Sequence, residues 1–235
     1  RIAAAFGKMH KSIAGKKNDF KDEQQETDLK NYGKIVHVEL DNPQSTILIA
    51  LPGISRASDK KFAVRLANLV FGGCGFSSRL LKRLRDVDGL VYRIHTAIVD
   101  KDLQSYVNVS AKTRPENTAN AIKAIKEECK TLLEKGVNQN ELDAVKTYVY
   151  ATGDLVSNAD KVQFVSRCRT DNVPLEDVNG YLGGFFNPTL DDVNTALKEV
   201  FDPEKMVIAG CGKSGREEVP IKPNDKKKIN EEEKK

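Results

Sequence analysis

Apolar residues recur along this chain at two periods, and the switch between them sets the elements. Val36, Val38 and Leu40 alternate with Ile35, His37 and Glu39, and Ile47, Ile49 and Leu51 alternate with Leu48 and Ala50. A period of two in β-branched residues reads as half-buried strands, and Asn42-Pro43 between them favours a turn. Phe62, Leu66, Leu69 and Val70 then follow helical spacing, with Ser58 as a candidate cap and Gly72-Gly73 as a left-handed exit. Ser77 or Ser78 caps a second helix to about Asp86, and Gly89 breaks it. Strands over 90–99 and 103–112 come next, joined through Asp100-Lys101-Asp102.

The remainder is mostly helical. Thr113-Arg114-Pro115-Glu116 has the form of a capping box with proline in the first turn. The helix behind it turns Ile122, Ile125, Cys129 and Leu132 inward and stops near Gly136. Asn138 to Glu141 opens another, with Leu142, Val145 and Val149 on one stripe. Helical patterns over 159–168, 175–182 and 190–200 precede a closing strand over 206–210. Hairpins with grouped helices imply an α+β fold, an antiparallel sheet with helices packed on one face. The absence of βαβ alternation excludes a parallel nucleotide-binding sheet.

The ends read differently. Residues 2–13 carry Ile2, Phe6, Met9 and Ile13 on one helical face, and 14–33 is polar. We therefore expect residues 1–33 to be a helix and linker from a preceding domain, 34–212 the folded α+β domain, and 213–235 a disordered charged tail. The first residue is Arg, which suggests a piece of a longer polypeptide.

Charge narrows the function. The formal net charge is +4, but 213–235 holds 8 basic and 6 acidic residues, leaving 30 and 28 in the body. So even a balance argues against a nucleic-acid footprint. No stretch approaches the roughly 20 apolar residues of a membrane-spanning helix. Cys74, Cys129, Cys168 and Cys211 form no C-x-x-C, lack histidines at metal-ligand spacing and read as free or buried thiols.

Few motifs carry chemistry. Gly72-Gly73-Cys74-Gly75-Phe76-Ser77-Ser78 lacks the lysine and preceding strand of a phosphate loop, so it reads as a helix-to-helix turn. His10, His37 and His95 make neither H-E-x-x-H nor its inverse, and no G-x-S-x-G is present. One segment stands out, Ser77 to Tyr92. Arg85 falls at a helix end and Tyr92 at a strand start seven residues on, across Gly89. A guanidinium and a phenol at one junction would offer donors to peptide carbonyls and to a developing oxyanion. On spacing alone, such an arginine reads equally as a surface residue complementing the helix dipole, and the tyrosine as a core or rim residue.

This segment resembles the C-terminal half of pitrilysin/insulinase-type zinc metallopeptidases, a group that includes bacterial zinc proteases and mitochondrial processing peptidase. The likeness rests on Leu84-Arg85-Asp86 followed by Gly89-Leu90-Val91-Tyr92. It is extended by Gln44-Ser45, Pro52-Gly53, Phe71-Gly72-Gly73, Ser77-Ser78-Arg79-Leu80, Gly136-Val137 with Glu141-Leu142, and Thr189-Leu190-Asp191-Asp192-Val193. It covers roughly 35–210. It departs from the common pattern at Val87 and Asp88, where basic residues often sit, and lacks the glycine-rich loop of the non-catalytic mitochondrial subunit. The resemblance implies two homologous α+β halves closing around a chamber. Zinc sits on the other half, which is on the same polypeptide or a separate subunit, and no cofactor or metal is expected on this chain. Arg85 and Tyr92 are implied as catalytic and substrate-binding residues. Tyr92 would donate to the scissile carbonyl and Arg85 would hold backbone of an extended peptide, which adds to a sheet edge. The chain alone is expected to be inactive. The competing reading is a catalytically inactive family member acting as a scaffold for partners.

Overall fold

The computed structural model describes residues 32–55, 58–99, 105–152, 161–166 and 182–213, with the side chains of Phe76 and Leu182 excepted. The chain divides into two compact units, Arg1–Lys30 and Asn31–Lys235, and all described residues belong to the second. The expected helix over 2–13, the hairpin turn at 100–102 and all of the expected helix over 175–182 but Leu182, which opens a 3-10 turn over Leu182–Phe185, lie outside the described residues. So do the linker up to residue 31 and the tail beyond residue 213.

Five strands form one sheet: β1 (Ile35–Glu39), β2 (Ser45–Pro52), β3 (Val91–Val99), β4 (Tyr106–Thr113) and β5 (Val207–Gly212). Their spatial order is β1-β5-β2-β4-β3. The β2–β4, β2–β5 and β3–β4 pairs are antiparallel, and β1 runs parallel to β5. The first two strands, between which Asn42-Pro43 favours a turn, therefore do not pair with each other. The last strand inserts between them, which no local pattern around residue 42 can foretell.

The helices are α1 (Lys61–Asn68), α2 (Arg79–Leu81, extended by wider turns over Lys82–Val87), α3 (Thr118–Lys135), α4 (Gln139–Thr152) and α5 (Leu190–Val200). Residues 161–166 are also helical. The helices cover one face of the sheet. That face presents Ile47, Ile49 and Leu51 from β2, Val107, Val109 and Ala111 from β4, and Ile208 from β5, all at most 1% exposed. Leu66, Leu80, Leu84, Ile125, Leu132 and Leu197 meet them fully buried, and Phe71 packs edge-on to Phe201 with centroids 5.2 Å apart. Each such side chain contributes roughly 1.5–3 kcal/mol on leaving water.

Local details depart from expectation. Gly72 and Gly73 are not left-handed; that conformation falls on Gly75 (φ 63°), Gly89 (φ 61°) and Gly136 (φ 70°). Gly72 is required for packing instead. A Cβ there would lie 2.4 Å from Thr96 Cγ2, so the wide turn over Leu69–Gly73 can lie directly on β3. Ser78 occupies the cap position of α2, but its hydroxyl donates to Gly75 O (2.7 Å) rather than accepting from the helix. Thr113 caps nothing: it is a buried strand residue whose hydroxyl donates to Leu90 O. The start of α4 does match. Glu141 N–H donates to Asn138 Oδ1 and Asn138 N–H to Glu141 Oε2, both at 3.0 Å. Thr189 and Asp192 form a complete capping box on α5.

Candidate functional site

The junction between α2 and β3 carries both residues singled out above. Leu84 (0% exposed) and Val91 (5%) anchor its two ends in the core. Between them the backbone leaves the helix through a wide turn, with Asp88 N–H donating to Arg83 O (2.9 Å) and Leu90 N–H to Leu84 O (2.7 Å). Gly89 takes the left-handed conformation this exit requires, with no neighbour to obstruct it. Turns closed by i→i+5 bonds recur at functional sites. Arg85, next to buried Leu84, is exposed, and Tyr92, next to buried Val91, is 54% exposed. The Leu84–Leu90 bond draws the two chain segments together.

A β-bulge then sets the direction of Tyr92. Val91 pairs with Thr113 and Arg93 with Lys112, so two steps along β3 match one along β4 and Tyr92 is the extra residue. Tyr92 and Arg93 are consequently both exposed, where strict alternation would bury one. The same side of the sheet carries Val36, Val38, Leu48, Ala209, Ser110, His95 and Lys112, and among the described residues no helix covers it.

Two ion-pair networks fix α2. The Arg79 guanidinium grips Glu141 in a fork, Nε to Oε1 and Nη2 to Oε2 at 2.6 Å each, and also donates to Gly136 O at 2.8 Å. Burial by itself would raise the Glu141 carboxyl, but Arg79, with Lys82 nearby and the Asn138 amide, holds it below the ordinary carboxylate value. Arg83 reaches Glu127 (2.5 Å), Glu128 (3.3 Å) and Asp88 (3.7 Å), tying the last turns of α2 and the Gly89 exit to α3. Sequence reading assigned no role to Arg79 or Arg83. The bulge did leave a trace: Val91 and Ile94 are three apart in a strand whose buried residues otherwise recur every second position.

The histidines do not converge. His37 Nε2 meets Gly212 O at 3.0 Å beside the core face, and His95 lies on the opposite, open face. His10 lies outside the described residues. Among the described residues no three His, Cys, Asp or Glu side chains come together to hold a metal ion. Cys74, Cys129 and Cys211 are free thiols. Burial pushes the Cys129 thiol up to about 12, which leaves it inert as a nucleophile. No described helix is long and apolar enough to cross a membrane.

The described residues thus form an α+β layer with helices on one side of the sheet and a bare face on the other. The chain belongs to the peptidase M16 inactive domain family, which it matches over residues 2–149. It is similar to the peptidase M16 inactive domain of Pseudomonas fluorescens, at 27% identity and a TM-score of 0.71 over 79% of this chain and 45% of that one. A protease from Helicobacter pylori shares the fold at 18% identity, with a TM-score of 0.69 over 77% of this chain and 44% of that one. An uncharacterised zinc protease of Streptomyces coelicolor is 22% identical over 176 residues, 72% of this chain and 37% of the relative. The chain thus spans less than half the length of these relatives. It is a non-catalytic half of the zinc-protease type, and peptidase, metallopeptidase and hydrolase are the terms for its kin.

Proposed function

We propose that this chain is the substrate-gripping half of a zinc metalloendopeptidase, completing the active site of a homologous zinc-bearing half, on the same polypeptide or a separate subunit. Its substrates are extended peptides. The observation that carries the reading is the α2–β3 junction. An exposed guanidinium at Arg85 and an exposed phenol at Tyr92 leave one hydrogen-bonded exit turn, in a chain of the M16 inactive domain family.

The roles follow from the donors. Tyr92 O–H donates to the scissile carbonyl oxygen and binds it more tightly as it gains negative charge. The bulge points the phenol away from the core, so its position is set by backbone pairing rather than by a flexible loop. Arg85 donates to backbone carbonyls of the peptide and restricts its register. β3 is an edge strand, which suits a peptide lying alongside it. The zinc itself is assigned to the other half.

The test is reconstitution. Alone, the chain cleaves no peptide; joined to its zinc-bearing half it does. In that assembly Tyr92→Phe slows turnover by about 10²-fold or more, the cost of one oxyanion donor, with KM little changed. An unchanged rate removes Tyr92 from the mechanism. Failure of any zinc-bearing half to gain activity favours the scaffold reading.

A further inference from the structure

The open sheet face holds a pair of cations that no carboxylate among the described residues neutralises. In the β3–β4 register Arg93 lies directly opposite Lys112. Both are exposed, and they share the outward face with Tyr92, His95 and Ser110. Like charges directly opposite on one sheet face are unfavourable. The arginines of α2 have carboxylates beside them, Arg79 with Glu141 and Arg83 with Glu127, Glu128 and Asp88, as does Lys60 with Glu199. Arg93 and Lys112 form no ion pair among the described residues. The outward positions of all five strands include no Asp or Glu at all, and the residues next to Lys112 in its row are Thr46, Cys211 and Val38. The repulsion is created by the bulge at Tyr92. Had β3 kept strict alternation past Val91, Arg93 would have pointed into the core and Lys112 would have stood alone.

We propose that Arg93 and Lys112 form a carboxylate-binding subsite beside Tyr92, and that it selects extended peptides carrying an acidic side chain. The inference rests on the peptide-gripping reading above and adds the substrate class. Two cations on adjacent strands face one carboxylate from two sides, and a guanidinium matches its two oxygens in a fork. The exposed Leu48, Val36 and Val38 further along the same face favour apolar residues in the rest of the peptide. An occupant of this kind also removes the repulsion between the two cations. A neutral or basic peptide does not.

The experiment uses the full 235-residue chain without any zinc half. Fluorescence anisotropy is read for three short labelled peptides of one apolar host sequence carrying Glu, Gln or Lys at the central position. The Glu peptide binds about 5-fold tighter than the Gln peptide, as expected for a carboxylate at two surface cations, and the Lys peptide binds weakest. The Glu preference falls as salt is raised. Arg93→Gln and Lys112→Gln each reduce it towards parity. Both side chains are exposed and each substitution removes one of two facing like charges, so both variants melt no lower than wild type by circular dichroism. Equal binding of Glu and Gln peptides overturns the proposal, as does a preference that survives both substitutions, or no binding of any of the three. Tighter binding of an oligothymidylate than of the Glu peptide, lost in the same variants, assigns the site to nucleic acid and also overturns it. Binding needs no catalysis. A failed reconstitution therefore leaves this result readable, and a failed preference leaves the peptidase reading standing.

Discussion

Replacing Glu141 by alanine probes the link that holds the site-bearing helix α2 to α4. Two interactions disappear together. The first is the fork with Arg79, whose two bonds are 2.6 Å long. Hydrogen bonds to charged groups contribute about 1.5–3 kcal/mol when sheltered, and fully exposed ion pairs about 0–1 kcal/mol. The side chains here are 17% and 27% exposed, so the pair lies between those limits, at about 2 kcal/mol. The second is the reciprocal cap with Asn138, about 1 kcal/mol. Glu141→Ala should then lose about 3 kcal/mol from a domain whose total stability is about 5–15 kcal/mol. Glu141→Gln keeps an acceptor for the cap and one for Arg79, and should lose only about 1 kcal/mol. The assay is urea unfolding followed by far-ultraviolet circular dichroism, since the chain has no tryptophan. A double-mutant cycle with Arg79→Met should return a coupling of about 2 kcal/mol. A Glu141→Ala loss under about 1 kcal/mol, or a coupling near zero, would refute the claim that this fork fixes α2.

Three further outcomes are expected. The folded-state carboxyls of Glu141 and Asp192 both sit below their ordinary values, Glu141 through Arg79 against an opposing burial effect and Asp192 through Thr189. Their stabilisation is therefore fully present above the ordinary carboxylate range and is lost as pH falls through the depressed folded values. The urea midpoint should drop between about pH 5 and pH 3, and drop less in Glu141→Gln; equal slopes would contradict this. Gly72→Ala drives a methyl into Thr96 and Leu80 and should cost about 1–3 kcal/mol by thermal melt, whereas a neutral result would mean that the Leu69–Gly73 turn can shift off β3. Metal analysis of the purified chain should find no stoichiometric zinc, and one tightly held equivalent would contradict the division of labour proposed above.

The sequence made legible those features that depend on near neighbours. Alternation marked β1 and β2, three-and-four spacing marked the helices, and Asn138 with Glu141 marked a helix start whose reciprocal bonds are present. Errors arose where a distant residue takes over a local group. Thr113 has the right spacing for a capping box, but its hydroxyl turns to Leu90 O, more than twenty residues back. Gly72 looked like a helix exit, and what forbids a side chain there is Thr96 on another element. Arg85 and Tyr92 were visible from their setting around Gly89 and from resemblance. The networks at Arg79 and Arg83 were not, because Glu127, Glu128 and Glu141 lie 44 to 62 positions away and many other pairings satisfy charge equally well.

The insertion of β5 between β1 and β2 also governs when the sheet can form. His37 and Gly212, which meet at 3.0 Å, are 175 positions apart, so the central seam waits for the end of the domain to be synthesised. Until residues 207–212 leave the ribosome, β1 has no partner and β2 is paired on one side only, so both strands carry unfilled backbone groups. Such long-range closure folds slowly, and the waiting strands offer edges to neighbouring nascent chains. A product ending before residue 207 would lack the seam rather than a dispensable terminus, and would accumulate as aggregate instead of a smaller soluble domain.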